Sequence, residues 1–187
     1  MKRNIIVGKQ ALSADICNHI IEVARPNFER ALTGTGEDVN SIRRSKVSWL
    51  EGAIKHLDIY MPICQIIQRV NAEFYHFDLT DPEAFQITKY DEKNQGFYKP
   101  HQDQQYDFAE KQKTVRKLSM SIQLTPPEHY EGGQLQFPDD KDKFNIEDAM
   151  DQGTVVFFPS YIKHGVTPVT KGIRYSLVCW IHGPNFK

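Results

Sequence analysis

Of the chain's seven histidines, one sits among neighbours that suit a metal ion. In Phe97-Tyr98-Lys99-Pro100-His101-Gln102-Asp103 the backbone reads as extended, so His101 and Asp103, two residues apart, point to one side while Gln102 points away. One imidazole nitrogen and one carboxylate oxygen aimed at a common point can share a single cation. His164, 61 residues after Asp103, follows the apolar run Thr154–Phe158 and precedes Gly165, a placement that suits a third ligand. Two histidines and one carboxylate on one face of a metal leave the opposite positions open. Mononuclear non-heme Fe(II) sites use that arrangement to admit oxygen and an organic acid. Arg174 lies ten residues after His164, and Ser176 shares its strand face. A guanidinium binds a carboxylate through two parallel N–H···O bonds, and a serine hydroxyl can add a third, which suits the far carboxylate of 2-oxoglutarate. A surface salt bridge is the plainer role for the same arginine.

The elements that carry these residues divide in two. Residues 1–80 hold the helical patterns. Ser13 can cap a helix in which Ile16, Ile20, Val23 and Ala24 recur at helical spacing, ended by Pro26. Thr33–Gly36 reads as a loop, and a second helix is expected from Leu57 to Phe77, with Ile59, Ile63, Ile66, Ile67, Val70 and Phe74 as one apolar stripe. After Asp81-Pro82 come short β-prone runs at Ala84–Tyr90, Thr114–Leu124, Gln134–Phe137, Thr154–Phe158 and Arg174–Ile181. Turn signals such as Gly132-Gly133, Gly153 and Lys171-Gly172 punctuate them. Helices first and then many short strands indicate an α+β chain with a sandwich or barrel core. In one strand Ser119, Ser121 and Gln123 alternate with Leu118, Met120, Ile122 and Leu124. The polar set is either a solvent face or the lining of a pocket, and periodicity does not choose between them.

Composition bounds the function. The 187 residues are 40% hydrophobic and 25% charged with a net charge of −1, which fits one globular domain over 1–187 and excludes a mainly disordered chain. Balanced charge gives no reason to expect nucleic acid or an anionic membrane as partner. Cys17, Cys64 and Cys179 are odd in number and widely spaced, which fits a reducing compartment better than a disulfide framework. The apolar run Ile5–Val7 is too short for a signal-peptide core, and nothing approaches the ~20 apolar residues of a membrane span, so a cytoplasmic protein is expected. Trp49 and Trp180 read as core residues, and Cys64 and Cys179 as buried thiols.

Together these segments resemble the prolyl 4-hydroxylase-like branch of the Fe(II)/2-oxoglutarate-dependent dioxygenases. Ser41–Leu50 is similar to the segment before that family's long helix, and Tyr90 to a tyrosine of its cosubstrate pocket. Lys117–Leu124 with Tyr130–Leu135 looks like its central hairpin, and Gly153–Pro159, His164–Val169 and Gly172–Ser176 complete the pattern. The resemblance implies a double-stranded β-helix, a distorted jelly roll, with N-terminal helices over residues 1–80 supporting a core over 81–187. It implies Fe(II) on His101, Asp103 and His164, with 2-oxoglutarate anchored by Arg174 beside Tyr90, Ser176 and Gln123. O2 is then the oxidant and ascorbate an accessory reductant. The expected reaction hydroxylates an unactivated C–H, releasing succinate and CO2, on a prolyl residue of a peptide or protein. A free amino acid or other small molecule is the alternative substrate, and a non-redox cupin-like metal-binding module the alternative of another class. Asp38–Trp49 and Gln104–Lys113, the latter with Tyr106 and Phe108, mix charge and aromatic residues as peptide-binding loops do, and as solvated loops also do. Sequence gives no oligomeric state.

Overall fold

The computed structural model describes residues 4–31, 39–104, 114–139 and 144–185. In chain order the elements are β1 (Ile6–Gly8), α1 (Ala14–Ala24), β2 (Glu29–Arg30), α2 (Val39–Ile42), β3 (Arg43–Arg44), β4 (Lys46–Leu50), α3 (Leu57–Val70), β5 (Phe85–Asp91) and β6 (Phe97–His101). Then follow β7 (Thr114–Gln123), β8 (Tyr130–Gly132), β9 (Leu135–Gln136), β10 (Val155–Pro159), β11 (His164–Val166) and β12 (Val169–Pro184). The loop expected at Thr33–Gly36 and most of Gln104–Lys113, including Tyr106 and Phe108, lie outside the described residues.

α1 begins where the sequence indicates, with the Ser13 hydroxyl accepting from the Ile16 N–H at 3.3 Å. Cys17, Ile20 and Ala24 form its buried side, and the chain turns extended at Phe28 just past Pro26. α3 buries Ile59, Ile63, Ile66, Ile67 and Val70. Beyond Val70 the helix widens into a π turn over Asn71–Tyr75, closed by the His76 N–H on the Asn71 carbonyl at 2.8 Å. The wider turn rotates the following residues off the stripe, so Phe74 is 39% exposed rather than buried as its spacing suggests.

Among the described residues the strands form two antiparallel sheets. The major sheet runs β1-β10-β7-β12-β5-β4-β2, with β8 also paired to β12, and the minor sheet runs β3-β6-β11-β9. The segment expected to be helical support therefore also supplies β1, β2 and β4 to one sheet and β3 to the other. These strands have two to five residues, too few to show a period in sequence. The turn expected at Lys171-Gly172 lies inside β12. Gly172 takes φ +73°, where a Cβ would lie 2.1 Å from the His129 carbonyl oxygen, and the strand bends through this position without ending.

The major sheet's two faces do different work. Phe85 and Ile87 on β5, Leu118, Met120 and Ile122 on β7, Phe157 on β10 and Leu177, Cys179 and Ile181 on β12 pack with α1 and α3 into one core. Each large aliphatic side chain buried there contributes about 1.5–3 kcal/mol. Alternation then sends Gln86, Thr88, Tyr90, Ser121, Arg174, Ser176 and Trp180 to the opposite face, toward the minor sheet. The polar set on β7 is thus an interior lining and not a solvent face: Ser119, Ser121 and Gln123 are all buried. No helix among the described residues is long and apolar enough to cross a membrane.

At the end of this face Glu83 joins β7 to β12. It accepts from Arg116 Nε at 2.6 Å and Nη2 at 2.8 Å, and lies 2.6 Å from His182 Nε2. Burial opposes its ionisation, but the hydrogen bonds and charges of Arg116 and His182 outweigh burial and hold the carboxyl below its usual range. A carboxyl depressed in this way stabilises the fold above its unfolded pKa of about 4.3, and that contribution is lost as pH falls through the folded value. Glu83→Gln is expected to lower the melting temperature at neutral pH, with the gap to wild type closing below about pH 4 in unfolding scans at stepped pH.

Candidate active site

The two histidines face one another because their strands pair that way. β6 and β11 are antiparallel with His101 directly opposite His164, so both imidazoles leave the same face, with ring centroids 4.4 Å apart. Nδ1 of His101 lies 2.9 Å from the Lys99 carbonyl oxygen, and Nδ1 of His164 lies 3.0 Å from that of Ile162. A carbonyl only accepts, so each Nδ1 carries a proton and each Nε2 is the nitrogen left to face Asp103 or a cation. Gly165 lets the strands come this close, since a Cβ there would meet the Tyr98 carbonyl oxygen at 2.9 Å and the Pro100 nitrogen at 3.0 Å.

Asp103 sits just past the end of β6. The Ser160 carbonyl holds it by accepting the N–H groups of Asp103 and Gln104, each at 3.0 Å. Its carboxylate reaches back between the rings, with Oδ1 3.5 Å from His101 Nε2 and Oδ2 3.4 Å from His164 Nε2. Ser119 donates to Oδ2 at 2.7 Å. Burial alone would raise the Asp103 carboxyl, yet His164, His101 and Ser119 together hold it well below the carboxylate range. Burial likewise lowers His164, which favours the neutral imidazole that a metal needs. Among the described residues these three are the one group of histidine, cysteine and acidic side chains that converges, all ligand atoms lying within 4.8 Å of one another. Three donors fit an octahedral ion with one face free, and the donor set of two imidazoles and a carboxylate suits Fe(II).

The triad opens into a cavity of about 240 Å³ between the sheets, and Arg174 lies in its wall. The arginine pairs with Tyr90 across β12 and β5, its guanidinium 5.7 Å from that ring, and it is 4% exposed. Its Nε donates to Gln123 Oε1 at 2.9 Å, while its buried Nη1 finds no partner among the described residues. A desolvated guanidinium N–H left unpaired is costly, and a ligand carboxylate would satisfy it. Ser176 and Tyr90 line the same cavity. Gln123 stands behind the guanidinium, its Nε2 donating to the Thr125 carbonyl at 2.7 Å and to the Tyr130 hydroxyl at 3.1 Å. Gly133 makes room for this arginine: it takes φ +61°, and a Cβ there would lie 3.1 Å from Arg174 Cδ.

The sequence reading missed several walls of this cavity. Trp180, expected in the core, lines it, and Trp49, also expected there, is 42% exposed at its edge with the two rings 6.3 Å apart. Both sit on the pocket side of their strands, which period-two counting from Leu50 and Ile181 would have shown. Arg43 is buried in the wall, donating from Nε to Ser45 at 2.7 Å and stacking 4.7 Å from the Tyr98 ring, which in turn stacks on His101 at 3.6 Å.

Comparison with known proteins agrees with this geometry. The family profile described as "2OG-Fe(II) oxygenase superfamily" matches residues 85–182. A PKHD-type hydroxylase of Alteromonas mediterranea is 41% identical over 34% of this chain and 27% of its own length. Prolyl 4-hydroxylase 1 of Arabidopsis thaliana is 32% identical over 72% of this chain and 46% of its own length. The chain thus matches less than half the length of either relative. The solved viral collagen prolyl hydroxylase of Paramecium bursaria Chlorella virus-1 superposes with a TM-score of 0.75 at 20% identity over 97% of each chain, which establishes a shared fold.

Replacing Gly165 tests the packing that brings the ligands together. Gly165→Ala is expected to weaken Co(II) binding about tenfold or more, with the far-ultraviolet circular dichroism of the sheets retained.

Proposed function

The chain belongs to the 2OG-Fe(II) oxygenase superfamily, and from that premise we propose that it is an Fe(II)- and 2-oxoglutarate-dependent dioxygenase that hydroxylates a prolyl residue of a peptide or protein. The observation that carries the reaction class is the shared cavity, in which the open three-donor cluster faces the same space as a buried arginine with an unpaired N–H. His101 and His164 would bind Fe(II) through Nε2, and Asp103 through its carboxylate. Arg174 would take the distal carboxylate of 2-oxoglutarate through Nη1, with Ser176 and Tyr90 beside it. Gln123 would hold the guanidinium at its angle. When bound, Fe(II) with O2 and 2-oxoglutarate supplies the oxidising chemistry that turns C–H into C–OH and yields succinate and CO2. Residues 1–187 would form one catalytic unit, the segment before residue 81 bracing the β-helix.

The rim supports a neutral, partly apolar substrate group. Arg116 stacks 4.0 Å from the Trp180 ring, and its charge is met by Glu83. Trp49 and Trp180 offer aromatic faces on which a pyrrolidine ring can rest. The relatives named prolyl hydroxylases, one of them a collagen prolyl hydroxylase, give the same direction.

Anaerobic titration with Fe(II) and then 2-oxoglutarate tests the reaction class through the weak visible charge-transfer band. Wild type should show the band. Asp103→Ala should lose it, and Arg174→Ala should keep iron but need about a hundredfold more 2-oxoglutarate, as expected when a charged hydrogen bond of ~2–3 kcal/mol is lost. Iron binding with no band in wild type would overturn the assignment and favour a plain metal-binding module. With ascorbate present, proline-containing peptides should stimulate succinate release and gain one oxygen atom on proline. Stimulation by free proline alone would replace the peptide with a small-molecule substrate.

A further inference from the structure

Resting on the Fe(II) reading, we propose that Ser160 and Ser119 form a directional two-hydroxyl relay that positions the Asp103 carboxylate, so that Ser119 governs metal affinity without touching the metal. Ser119 sits mid-strand in β7, a strand central to the major sheet, and both serines are fully buried at 0% exposure. A hydroxyl in such a place is costly unless its hydrogen bonds are made. Ser119 Oγ makes two, one to Asp103 Oδ2 at 2.7 Å and one to Ser160 Oγ at 2.9 Å.

The chemistry fixes the direction of the chain. An ionised carboxylate only accepts, so the Ser119 proton goes to Asp103. Ser119 has one proton, so in the second contact it accepts and Ser160 donates. The relay therefore runs Ser160 to Ser119 to Asp103, and it is charge-assisted at the carboxylate end.

Ser160 also fixes the backbone of the same ligand. Its carbonyl accepts from the N–H groups of Asp103 and Gln104 at 3.0 Å, and its own N–H donates to the Lys117 carbonyl at 3.0 Å. One residue thus holds Asp103 by the main chain and, through Ser119, by the side chain. Ser119 is itself immobilised between two strands, opposite Phe158 on β10 and Trp180 on β12. The Ser119 hydrogen bond to Oδ2 fixes the plane of the carboxylate, which holds Oδ1 3.5 Å from His101 Nε2 and Oδ2 3.4 Å from His164 Nε2.

The test is Co(II) titration of the metal-free full chain, read by visible ligand-field absorption, with apo thermal unfolding as a control on the fold. Ser119→Ala is expected to weaken Co(II) binding roughly 10–100-fold and to change the band shape, as loss of a partner orienting a metal ligand does. Ser160→Ala should act in the same direction but less. The double variant should bind within about twofold of Ser119→Ala, because the two hydroxyls act in series. Co(II) affinity and spectrum unchanged in Ser119→Ala overturn the relay, even where its melting temperature falls, since that outcome marks a merely structural serine. Independent, additive losses in the double variant also overturn it. If Ser119→Ala does not fold, Ser160→Ala decides by the same two readouts. Failure of wild type to bind Co(II) at all would instead overturn the metal reading on which the relay rests.

Discussion

A carboxylate taken out of water must be surrounded by positive charge and hydrogen-bond donors, and at Asp103 that requirement organises the two sheets. The residue is 5% exposed, far from what an isolated anion tolerates. Its surroundings come from both layers. His101 and His164 belong to the minor sheet, while Ser119 belongs to the centre of the major one. The site is therefore a seam that closes only when the layers are in register, and its remaining demand for a cation is the demand that the metal satisfies.

Register in turn is set by the core on the far side of the major sheet. Leu118, Met120 and Ile122 are fully buried against the helical layer, so Ser119 and Ser121 have one direction left. The same rule on β5 turns Gln86, Thr88 and Tyr90 inward, and on β12 it aligns Arg174, Ser176, Val178 and Trp180 along the cavity. A one-residue slip of any of these strands would exchange an apolar core for a polar one and destroy the site in the same step. Packing of α1 and α3, remote from the chemistry, thus specifies where the chemistry sits.

This dependence explains what could be read from the sequence. The ligands were legible because His101 and Asp103 are local to one another and because His164 and Arg174 fall in strongly patterned runs. The alternation on β7 was visible, but its meaning depended on a second sheet lying over the polar face, which no local pattern records. β1 to β4 are too short for any period to emerge, and their pairing is set by partners distant in the chain. Trp49 and Trp180 were misplaced because large apolar side chains default to the core, whereas here they lie on the cavity side of their strands. Phe74 was misplaced because a π turn leaves no mark in hydrophobic spacing. Ser160 drew no notice at all, since its role is made of a carbonyl and a hydroxyl that meet residues 41 and 57 positions away.

The cavity's charges are also graded from depth to mouth. At the mouth Arg116 is neutralised by a bidentate carboxylate. In the wall Arg43 is held by the hydroxyls of Ser45 and Thr88 and by the Tyr98 ring, and deeper Arg174 is held by a neutral amide with one N–H unspent. Two opposite charges attract several times more strongly in a desolvated site than in water. A dianion entering this space therefore gains most by sending one carboxylate to Arg174 and the other toward the cation at the triad, and gains little at the rim. The rim is left to a partner that brings hydrogen-bond acceptors and apolar surface without net charge. Arg43, whose guanidinium meets only hydroxyls and a ring, adds to the same inward pull on anionic groups, so the electrostatics that seat the proposed cosubstrate place the demand for charge inside the cavity and not at its rim.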